Sequence, residues 1–390
     1  MKKLVVLGRG TAGAQAIIHF LRWMNDCEIE WHYDPNIKTQ AVGEGSTLAL
    51  PKNLYNCLEF YHTDLEKIYG TPKYGVYKKN WGKQGKEFFH PFIGHSISYH
   101  FNAVALQNYI FDKVKDRVKI VEHNITSDKI DADYVVDCSG KPEEYSKFIT
   151  PDDIAVNSVH VTQCYWDHPT FFYTLAIARP HGWIFGIPLT NRCSIGYMYN
   201  NKFSSLEEVK QDVIDVFKEY NLTPSKDTNT FTFNNYYRKV NFDGRIAYSG
   251  NASFFLEPLE ATSIAFMDQI QRIAYDLWNN TMSIDMANKA YTKYVEQIKT
   301  ILLLHYCNGS IYDTAFWTNA QQKSSEWIEY RLKTDGEFNQ ILSLLSLYNN
   351  DDNTSYLYDL LPEYGNWWAG SFKQNIKGLG LEQKLLNMVV

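Results

Sequence analysis

The stretch KKLVVLGRGTAGAQAIIHF, residues 2–20, predicts a strand, a glycine-rich turn and a helix in direct succession. Residues 2–7 are rich in Leu and Val, as a buried parallel strand is, and the apolar residues after the turn recur at helical spacing. Within the turn, Gly8 permits a tight reversal, Gly10 lets the backbone approach a phosphate, and Gly13 lets the helix pack closely on the sheet. This pattern predicts a dinucleotide-binding unit whose helix start faces a pyrophosphate.

A second predicted strand, EIEWHY at 28–33, ends at Asp34, about 20 residues beyond the last glycine of the turn. A carboxylate at that spacing accepts hydrogen bonds from a ribose. An isolated glycine fingerprint would as readily be a turn that binds nothing, but the strand, the helix and Asp34 together favour a bound dinucleotide. The GLG at 378–380 lacks a third glycine and a preceding strand, so one dinucleotide is predicted.

Two further glycine-bearing segments favour FAD over NAD as that dinucleotide. They are DCSG at 137–140, which follows a predicted strand at 133–137, and GNAS at 250–253, which follows the strand-like RIAYS. Flavoproteins bring such strands back to the cofactor, whereas NAD dehydrogenases need neither.

The fold class expected is α/β. Short alternating runs between about 157 and 250 predict a second, antiparallel sheet. Helical spacing predicts a helix from Ala261 to Trp278 and continues through most of the chain after it. The prediction is an FAD-binding Rossmann-like domain of the flavin-monooxygenase type with a second antiparallel sheet and a C-terminal helical region. The expected bounds are 1–156 with 240–300 for the FAD-binding core, 157–239 for the second sheet, and 301–390 for the helical, substrate-covering region.

Composition excludes several classes of function. The 390 residues include 38 Lys and Arg against 44 Asp and Glu, so the net charge of −6 offers no general attraction for nucleic acid or an anionic membrane. Six cysteines lie far apart without a CxxC pair, and no histidine spacing matches a common ligand pattern, so no metal is predicted. The apolar run near the N-terminus is too short for a signal or a membrane span, so we expect a cytoplasmic protein.

Five segments resemble the flavin-dependent halogenases of the tryptophan-halogenase type. They are GRGTAG (8–13), AVGEGSTLALP (41–51), KYGVYKKNW (73–81), GWIFGIP (182–188) and FLEPLEATS (255–263). The resemblance implies an enzyme in which reduced FAD, oxygen and chloride, bromide or iodide give a hypohalous acid. That acid is passed by a lysine to an electron-rich aromatic or heteroaromatic small molecule. The resemblance also implies a separate NAD(P)H-dependent flavin reductase as the source of reduced FAD, and it leaves a homo-oligomer open.

The resemblance assigns the catalytic pair. Lys73 falls at the family's essential lysine, eight positions before Trp81, and Glu260 matches the glutamate that faces that lysine. A lysine amine can carry or hydrogen-bond a halogen source, and a carboxylate can accept a proton from the arene. The plainer alternatives are a solvated lysine and an acid that stabilises the start of the helix after it.

The resemblance also assigns the binding residues. Thr262 and Ser263 match the positions whose backbone amides hold the halide, with Ser263 in place of the usual Gly. Trp183 and Phe185, followed by Ile187 and Pro188, match the strand that separates flavin from substrate, with Phe185 in place of a second Trp. The fingerprint and the resemblance together place the cofactor at Gly8, Gly10, Thr11, Ala12, Gly13, Asp34, Ala41, Val42, Gly43, Glu44, Gly250 and Asn251, the last replacing an Asp.

Two other functions are kept open by these departures. A flavin monooxygenase that hydroxylates its substrate is compatible with the fold, and so is a flavin-binding protein without catalysis. The chain is shorter than the familiar tryptophan halogenases, which favours a reduced lid and a substrate other than tryptophan. Trp367 and Trp368 fit either substrate stacking or the hydrophobic core.

Overall fold

The computed structural model describes residues 1–37, 44–123, 126–347 and 363–389. The chain divides into two compact units. Unit 1 comprises residues 1–73, 97–150 and 236–293, and unit 2 comprises residues 74–96, 151–235 and 294–390. The domain bounds expected from the sequence remain a prediction.

The described residues form strands and helices with the following bounds. The strands are β1 (Lys2–Leu7), β2 (Cys27–Tyr33), β3 (Thr71–Lys73), β4 (Gly75–Lys79), β5 (Phe88–Pro91), β6 (Ser98–His100), β7 (Lys119–Glu122), β8 (Tyr134–Asp137), β9 (Phe148–Ile149), β10 (Ser158–Tyr165), β11 (Thr174–Arg179), β12 (Gly182–Pro188), β13 (Cys193–Tyr199), β14 (Thr223–Thr232), β15 (Tyr236–Arg238), β16 (Ile246–Tyr248) and β17 (Phe254–Phe255). The helices are α1 (Thr11–Trp23), α2 (Ala49–Leu58), α3 (Ala103–Val114), α4 (Leu206–Glu219), α5 (Thr262–Trp278), α6 (Ile284–Tyr306), α7 (Ala315–Thr334), α8 (Gly336–Leu347), α9 (Ala369–Gly378) and α10 (Glu382–Val389).

Unit 1 is built on a five-stranded parallel sheet of order β16-β8-β1-β2-β7. The central strand β1 is buried through Leu4, Val5 and Val6, each without solvent exposure, as a strand covered on both faces must be. Since all five strands are parallel, their carboxyl ends meet at one edge of the sheet. The turns after β1, β2, β8 and β16 therefore lie side by side.

A buried polar cluster joins three helices of unit 1. The Asp268 carboxylate on α5 accepts hydrogen bonds from Asn53 Nδ2 on α2 at 2.6 Å and from Arg272 Nε at 2.8 Å. His19 on α1 lies 3.8 Å from the same carboxylate. Because a buried charge is tolerated only when it is paired, this cluster fixes how α5 packs on its neighbours.

Unit 2 contains a seven-stranded sheet of order β14-β10-β13-β12-β11-β4-β5. Its neighbours pair antiparallel except β4, which runs parallel to β11. Helix α4 covers one face through an apolar cluster that includes Val213 and Ile184. The predicted antiparallel sheet is thus present, and the segment 74–96 adds two strands that its alternation did not predict. The α/β class with parallel and antiparallel sheets and C-terminal helices is confirmed.

No helix in the described ranges has both the length and the apolar character that a membrane crossing requires.

Candidate active site

The glycine turn after β1 is shaped by close backbone contacts. Gly8 has a φ of +106°, and a Cβ there would lie 2.3 Å from the carbonyl oxygen of Cys138. A Cβ on Gly13 would lie 1.9 Å from the carbonyl oxygen of Gly8, whereas a Cβ on Gly10 would meet no heavy atom within 4 Å. Gly8 and Gly13 therefore close the turn onto the sheet, and Gly10 borders open space, as the close approach of a phosphate to the backbone requires.

The predicted partners of this turn lie at the same sheet edge. Gly250 follows β16 with a φ of +59°, and a Cβ there would lie 2.6 Å from the Ala12 side chain. Asp34 follows β2, and its Oδ1 accepts hydrogen bonds from the backbone and side-chain nitrogens of Asn36 at 2.9 and 3.0 Å. Thr11 Oγ1 accepts a hydrogen bond from Gln107 at 2.9 Å. This edge thus brings together residues that the sequence analysis assigned to the cofactor, and their role remains a prediction.

Arg9, within the fingerprint, was not singled out by sequence reasoning. Its guanidinium lies 3.9 Å from the ring centroid of Phe111 and 5.2 Å from that of Tyr33, and Nη2 donates to Asn108 Oδ1 at 3.3 Å. Stacking on two rings holds a permanent cation at the edge where the glycine turn lies. Its position in the fingerprint was the available signal.

Of the predicted cofactor residues at 41–44, Glu44 alone lies within the described residues. Ala41, Val42 and Gly43 lie outside the described residues. Glu44 is buried, and its Oε1 accepts a hydrogen bond from the backbone nitrogen of Ala103 at 3.4 Å, at the first position of α3. A carboxylate at a helix start is stabilised by the helix dipole. Asn251 is placed in the turn after β16, where its carbonyl oxygen accepts from the Tyr236 hydroxyl at 2.8 Å.

Lys73 is buried, with only 2% of its surface exposed. It ends β3, which pairs antiparallel with β6 so that Lys73 lies opposite Ser98. Its Nζ donates a hydrogen bond to the carbonyl oxygen of Ser46 at 2.9 Å. The Ser46 hydroxyl is itself hydrogen-bonded to Ser98 Oγ at 2.8 Å, which fixes the acceptor. Burial rules out the solvated lysine that was the alternative interpretation.

His100 adds a second buried titratable group to this part of unit 1. It has no solvent exposure, and its Nδ1 lies 3.2 Å from Thr71 Oγ1. Burial, followed by the charge of Lys73, holds the pKa of His100 well below its usual value. The imidazole is therefore neutral at neutral pH, and it does not compete with Lys73 as a cation.

The segment before α5 departs from the expected helix. Glu260 and Ala261 adopt left-handed conformations, with φ of +67° and +53°, and α5 begins at Thr262 rather than at Ala261. Side chains other than glycine rarely take this conformation, which costs roughly 1–2 kcal/mol per residue. Such strain persists where surrounding structure requires it, and here it sets the direction of the Glu260 side chain, whose Oε1 is inaccessible to solvent.

The start of α5 has the properties of an anion site. No side chain caps it, and its first turn contains no acid. The Thr262 side chain is fully buried, and its hydroxyl has no hydrogen-bond partner within the described residues. The free N–H groups of a helix start and a buried hydroxyl suit a small monoanion. Thr262 and the half-buried Ser263 therefore fit a halide, and the hydroxyl is a donor that sequence reasoning did not predict.

The predicted aromatic strand belongs to unit 2. Trp183, Phe185 and Ile187 share one face of β12, opposite the face that α4 covers through Ile184. Trp183 is 1% exposed, and Phe185 packs 6.3 Å from it, directly on Gly196 of β13. Ile187 is half-buried and Pro188 is buried at the end of the strand.

A family model described as tryptophan halogenase matches residues 3–119 and 105–343. The chain belongs to the tryptophan halogenase family. This membership confirms the resemblance in the five sequence segments.

Curated members of the tryptophan halogenase family are distant relatives of the chain. The tryptophan 7-halogenase RebH of Lentzea aerocolonigenes is 24% identical over 317 residues, which cover 74% of this chain and 58% of that protein. The 7-chloro-L-tryptophan 6-halogenase KtzR of Kutzneria sp. (strain 744) is 26% identical over 274 residues, which cover 62% and 51%. The chain therefore spans less than two thirds of the length of these relatives.

Solved structures of the family share the fold. The tryptophan 6-halogenase SttH of Streptomyces toxytricini superposes with a TM-score of 0.75 at 19% identity, covering 97% of this chain and 90% of that chain. A flavin-dependent halogenase from Xanthomonas campestris superposes with a TM-score of 0.77 at 16% identity, covering 100% and 93%. At these identities the likeness establishes the fold.

Unit 2 of this tryptophan halogenase family member contains a cavity of about 630 Å³, which sequence reasoning missed. Its volume lies within the usual range for a small-molecule site. Its walls come from residues 86–94, around β5, and from 368–378, around α9, and its aromatic groups are Phe88, Phe89, His90, Phe92 and Trp368. Trp367 is 1% exposed, so of the adjacent tryptophans one belongs to the core and the other lines the cavity.

A buried lysine ties the walls of this cavity together. Lys78 on β4 has no solvent exposure, and its Nζ is hydrogen-bonded to His305 Nε2 at 2.7 Å and to the Asn375 amide oxygen. His305 Nδ1 lies 2.8 Å from the Ile301 carbonyl oxygen, so Nδ1 donates and Nε2 is the acceptor facing the lysine.

The same network continues from α9 to β5. Asn375 Nδ2 donates to the Ser371 carbonyl oxygen at 2.8 Å, and Ser371 Oγ is hydrogen-bonded to His90 Nε2 at 2.8 Å. Gly378, in the GLG segment, lets the Phe88 ring lie against α9, because a Cβ there would come within 2.4 Å of that ring. The cavity is thus pre-formed by buried hydrogen bonds.

Proposed function

We propose that the chain is a flavin-dependent halogenase that halogenates an electron-rich aromatic or heteroaromatic small molecule. The observation that carries the proposal is the burial of Lys73 in the same compact unit as the glycine cradle and the anion-binding helix start of α5. A binding protein has no need of a desolvated amine, and a hydroxylase does not require one. Family membership supports the same reaction class.

FAD is the cofactor that the glycine-lined edge fits. Gly10 leaves room for the pyrophosphate, the start of α1 offers its N–H groups, and Asp34 retains acceptor capacity for a ribose. Reduced FAD would supply, with oxygen, the oxidising power that converts halide to hypohalous acid. Gly250, packed against Ala12, would let backbone approach the cofactor.

The halide would lie at the start of α5. Backbone N–H groups of Thr262 and Ser263, with the Thr262 hydroxyl, stabilise a monoanion without neutralising it, so the ion stays nucleophilic. Ser263 stands where the resemblance implies Gly, so its side chain would narrow that site, and we expect it to influence which halide binds best.

Lys73 and Glu260 would carry the transfer to the arene. The Lys73 amine, held by the Ser46 carbonyl oxygen, would position hypohalous acid by hydrogen bonding or carry the halogen on nitrogen. The arene carbon then attacks the halogen, the O–X or N–X bond breaks, and the ring proton passes to the Glu260 carboxylate. The products are the aryl halide and water.

The proposal includes a second protein and a location. The sequence contains one dinucleotide fingerprint, so reduced FAD would come from a separate NAD(P)H-dependent flavin reductase. Because that reductant is intracellular, we place the reaction in the cytoplasm.

The test supplies reduced FAD, oxygen and bromide to the protein with a panel of indoles and phenols, followed by mass spectrometry. Brominated product supports the halogenase. Hydroxylated product would identify the monooxygenase that Phe185 leaves open, and tight FAD binding without any product would identify a flavin-binding protein.

A further inference from the structure

The cavity of unit 2 combines aromatic walls with an excess of positive charge. Three lysines, Lys86, Lys373 and Lys377, line it, against one acid, Glu87. Lys86 and Lys377 are exposed and form no ion pair within the described residues. Two uncommitted cations therefore face any molecule that enters.

The one acid of the lining is engaged elsewhere. The Tyr77 hydroxyl donates to Glu87, and Lys79 Nζ lies 3.2 Å from its Oε1. These contacts, the Tyr77 hydrogen bond first, lower the pKa of Glu87, so it stays ionised and bound to its partners. Glu87 is therefore poorly placed to neutralise Lys86 or Lys377, or to attract a cationic ligand into the cavity.

The start of α9 lines the cavity at the end where Trp368 lies. Trp368 is the residue before its first turn, no side chain caps it, and Gly370 and Ser371 of that turn line the cavity. The dipole of a helix favours negative charge at this end. Lys377 lies in the last turn of α9, so the dipole of the helix start acts at the other end of this wall from that lysine.

We propose that this cavity binds an aromatic acid. The planar ring would lie against Phe88, Phe92 and Trp368, and the anionic substituent would face Lys86 and Lys377. A neutral arene would lose the charge contacts, and an aromatic amine would be disfavoured by them. The binding of this acid does not rest on the proposed function.

The probes are three indoles that differ in one substituent: indole-3-acetate, the neutral indole-3-acetamide, and the cationic tryptamine. Binding to the protein without flavin or halide is followed by calorimetry. We expect the acid to bind about tenfold more tightly than the amide at low ionic strength, since each exposed charge contact contributes a few-fold. Raising the ionic strength to about 0.5 M should reduce that ratio to about threefold or less through screening.

A double variant assigns the preference to the two lysines. Lys86→Gln with Lys377→Gln should bind acid and amide within about twofold of each other. The matched control is Lys210→Gln with Lys333→Gln, which removes the same charge from exposed lysines of unit 2 outside the cavity and should keep the preference. Because all four side chains are exposed, unfolding midpoints should remain close to that of the wild type.

Three results would overturn the proposal: no measurable binding of the acid, equal binding of acid and amide, or a preference that survives in the cavity variant. Product analysis separates this inference from the proposed function. A preference for the acid without any halogenation would support the aromatic-acid site and reject the halogenase. Halogenation without that preference would support the halogenase and reject the aromatic-acid site.

Discussion

Two titratable side chains in unit 1, Lys73 and His100, are almost completely buried. Lys73 and His100 lie on the two paired strands β3 and β6 of unit 1, and His100 is held neutral at neutral pH. The lowered pKa of His100 reduces the unfolding free energy at acidic pH. In acid the unfolded chain gains a proton at this residue that the folded chain does not accept.

The first prediction follows from that difference. Below a pH of about 6.5, the ordinary pKa of His, the unfolding free energy should fall by up to about 1.4 kcal/mol per pH unit on account of His100. Above that pH its contribution is constant. Urea unfolding at neutral and mildly acidic pH should therefore show a shallower pH dependence in His100→Gln than in the wild type. Identical slopes would mean that His100 accepts a proton in the folded state.

At the scale of single elements, sequence patterns did not predict two features: the left-handed turn before α5, and the hydrogen-bond network of Lys78, His305 and Asn375. Helical periodicity starts the helix at Ala261, because a pattern of apolar side chains cannot report a positive φ. The strand β12 and the strand, glycine turn and helix of residues 2–23 were predicted correctly, because each follows from local steric requirements. The buried, unpaired Thr262 hydroxyl, the Lys78 network and the cavity depend on contacts between distant segments, which no spacing encodes.

The left-handed turn makes a prediction about stability. Ala261→Val should lower the unfolding free energy by about 2 kcal/mol, because a β-branched side chain is strained at a φ of +53°. Ala261→Gly should stay within about 1 kcal/mol of the wild type, since relief of strain and added freedom of the unfolded chain offset each other. Chemical denaturation measures both, and equal effects would show that the turn relaxes.

The buried lysine makes a second prediction at this scale. Lys78→Met leaves the acceptors of His305 and Asn375 without a donor and should lower the unfolding free energy by about 2 kcal/mol. His305→Phe should lower the unfolding free energy of the Lys78→Met variant by at least about 1 kcal/mol less than it lowers that of the wild type. Lys79→Met, on the neighbouring residue with half-exposed ion pairs, is the control and should cost under about 1 kcal/mol. Additive effects would contradict a coupled network.

For the whole molecule, the sequence predicted the class of fold and the family, but not the assignment of every segment. The parallel sheet follows from alternating strand and helix patterns. The two strands from 74–96 complete the other sheet through a parallel pairing with β11, which is a long-range contact without a local signal. The C-terminal helices supply one wall of the cavity, and no motif marks them as such.

Cofactor binding should be visible as stability of the whole protein. FAD at about 100 times its dissociation constant should raise the unfolding free energy by about 2.7 kcal/mol, with a matching rise in the unfolding temperature. Gly10→Val should abolish that rise while leaving the protein without FAD nearly unchanged, because its side chain would enter open space and its backbone φ of −73° suits any residue. A full rise in the variant would place FAD elsewhere.

The most direct test of the account compares the wild type with Lys73→Met in a single turnover with stoichiometric reduced FAD, oxygen, bromide and an indole. The exposed Lys52→Met serves as the matched control. We predict brominated indole from the wild type and from Lys52→Met, and none from Lys73→Met although it binds FAD with unchanged affinity. Equal bromination by Lys73→Met, or hydroxylated indole from the wild type, would contradict it.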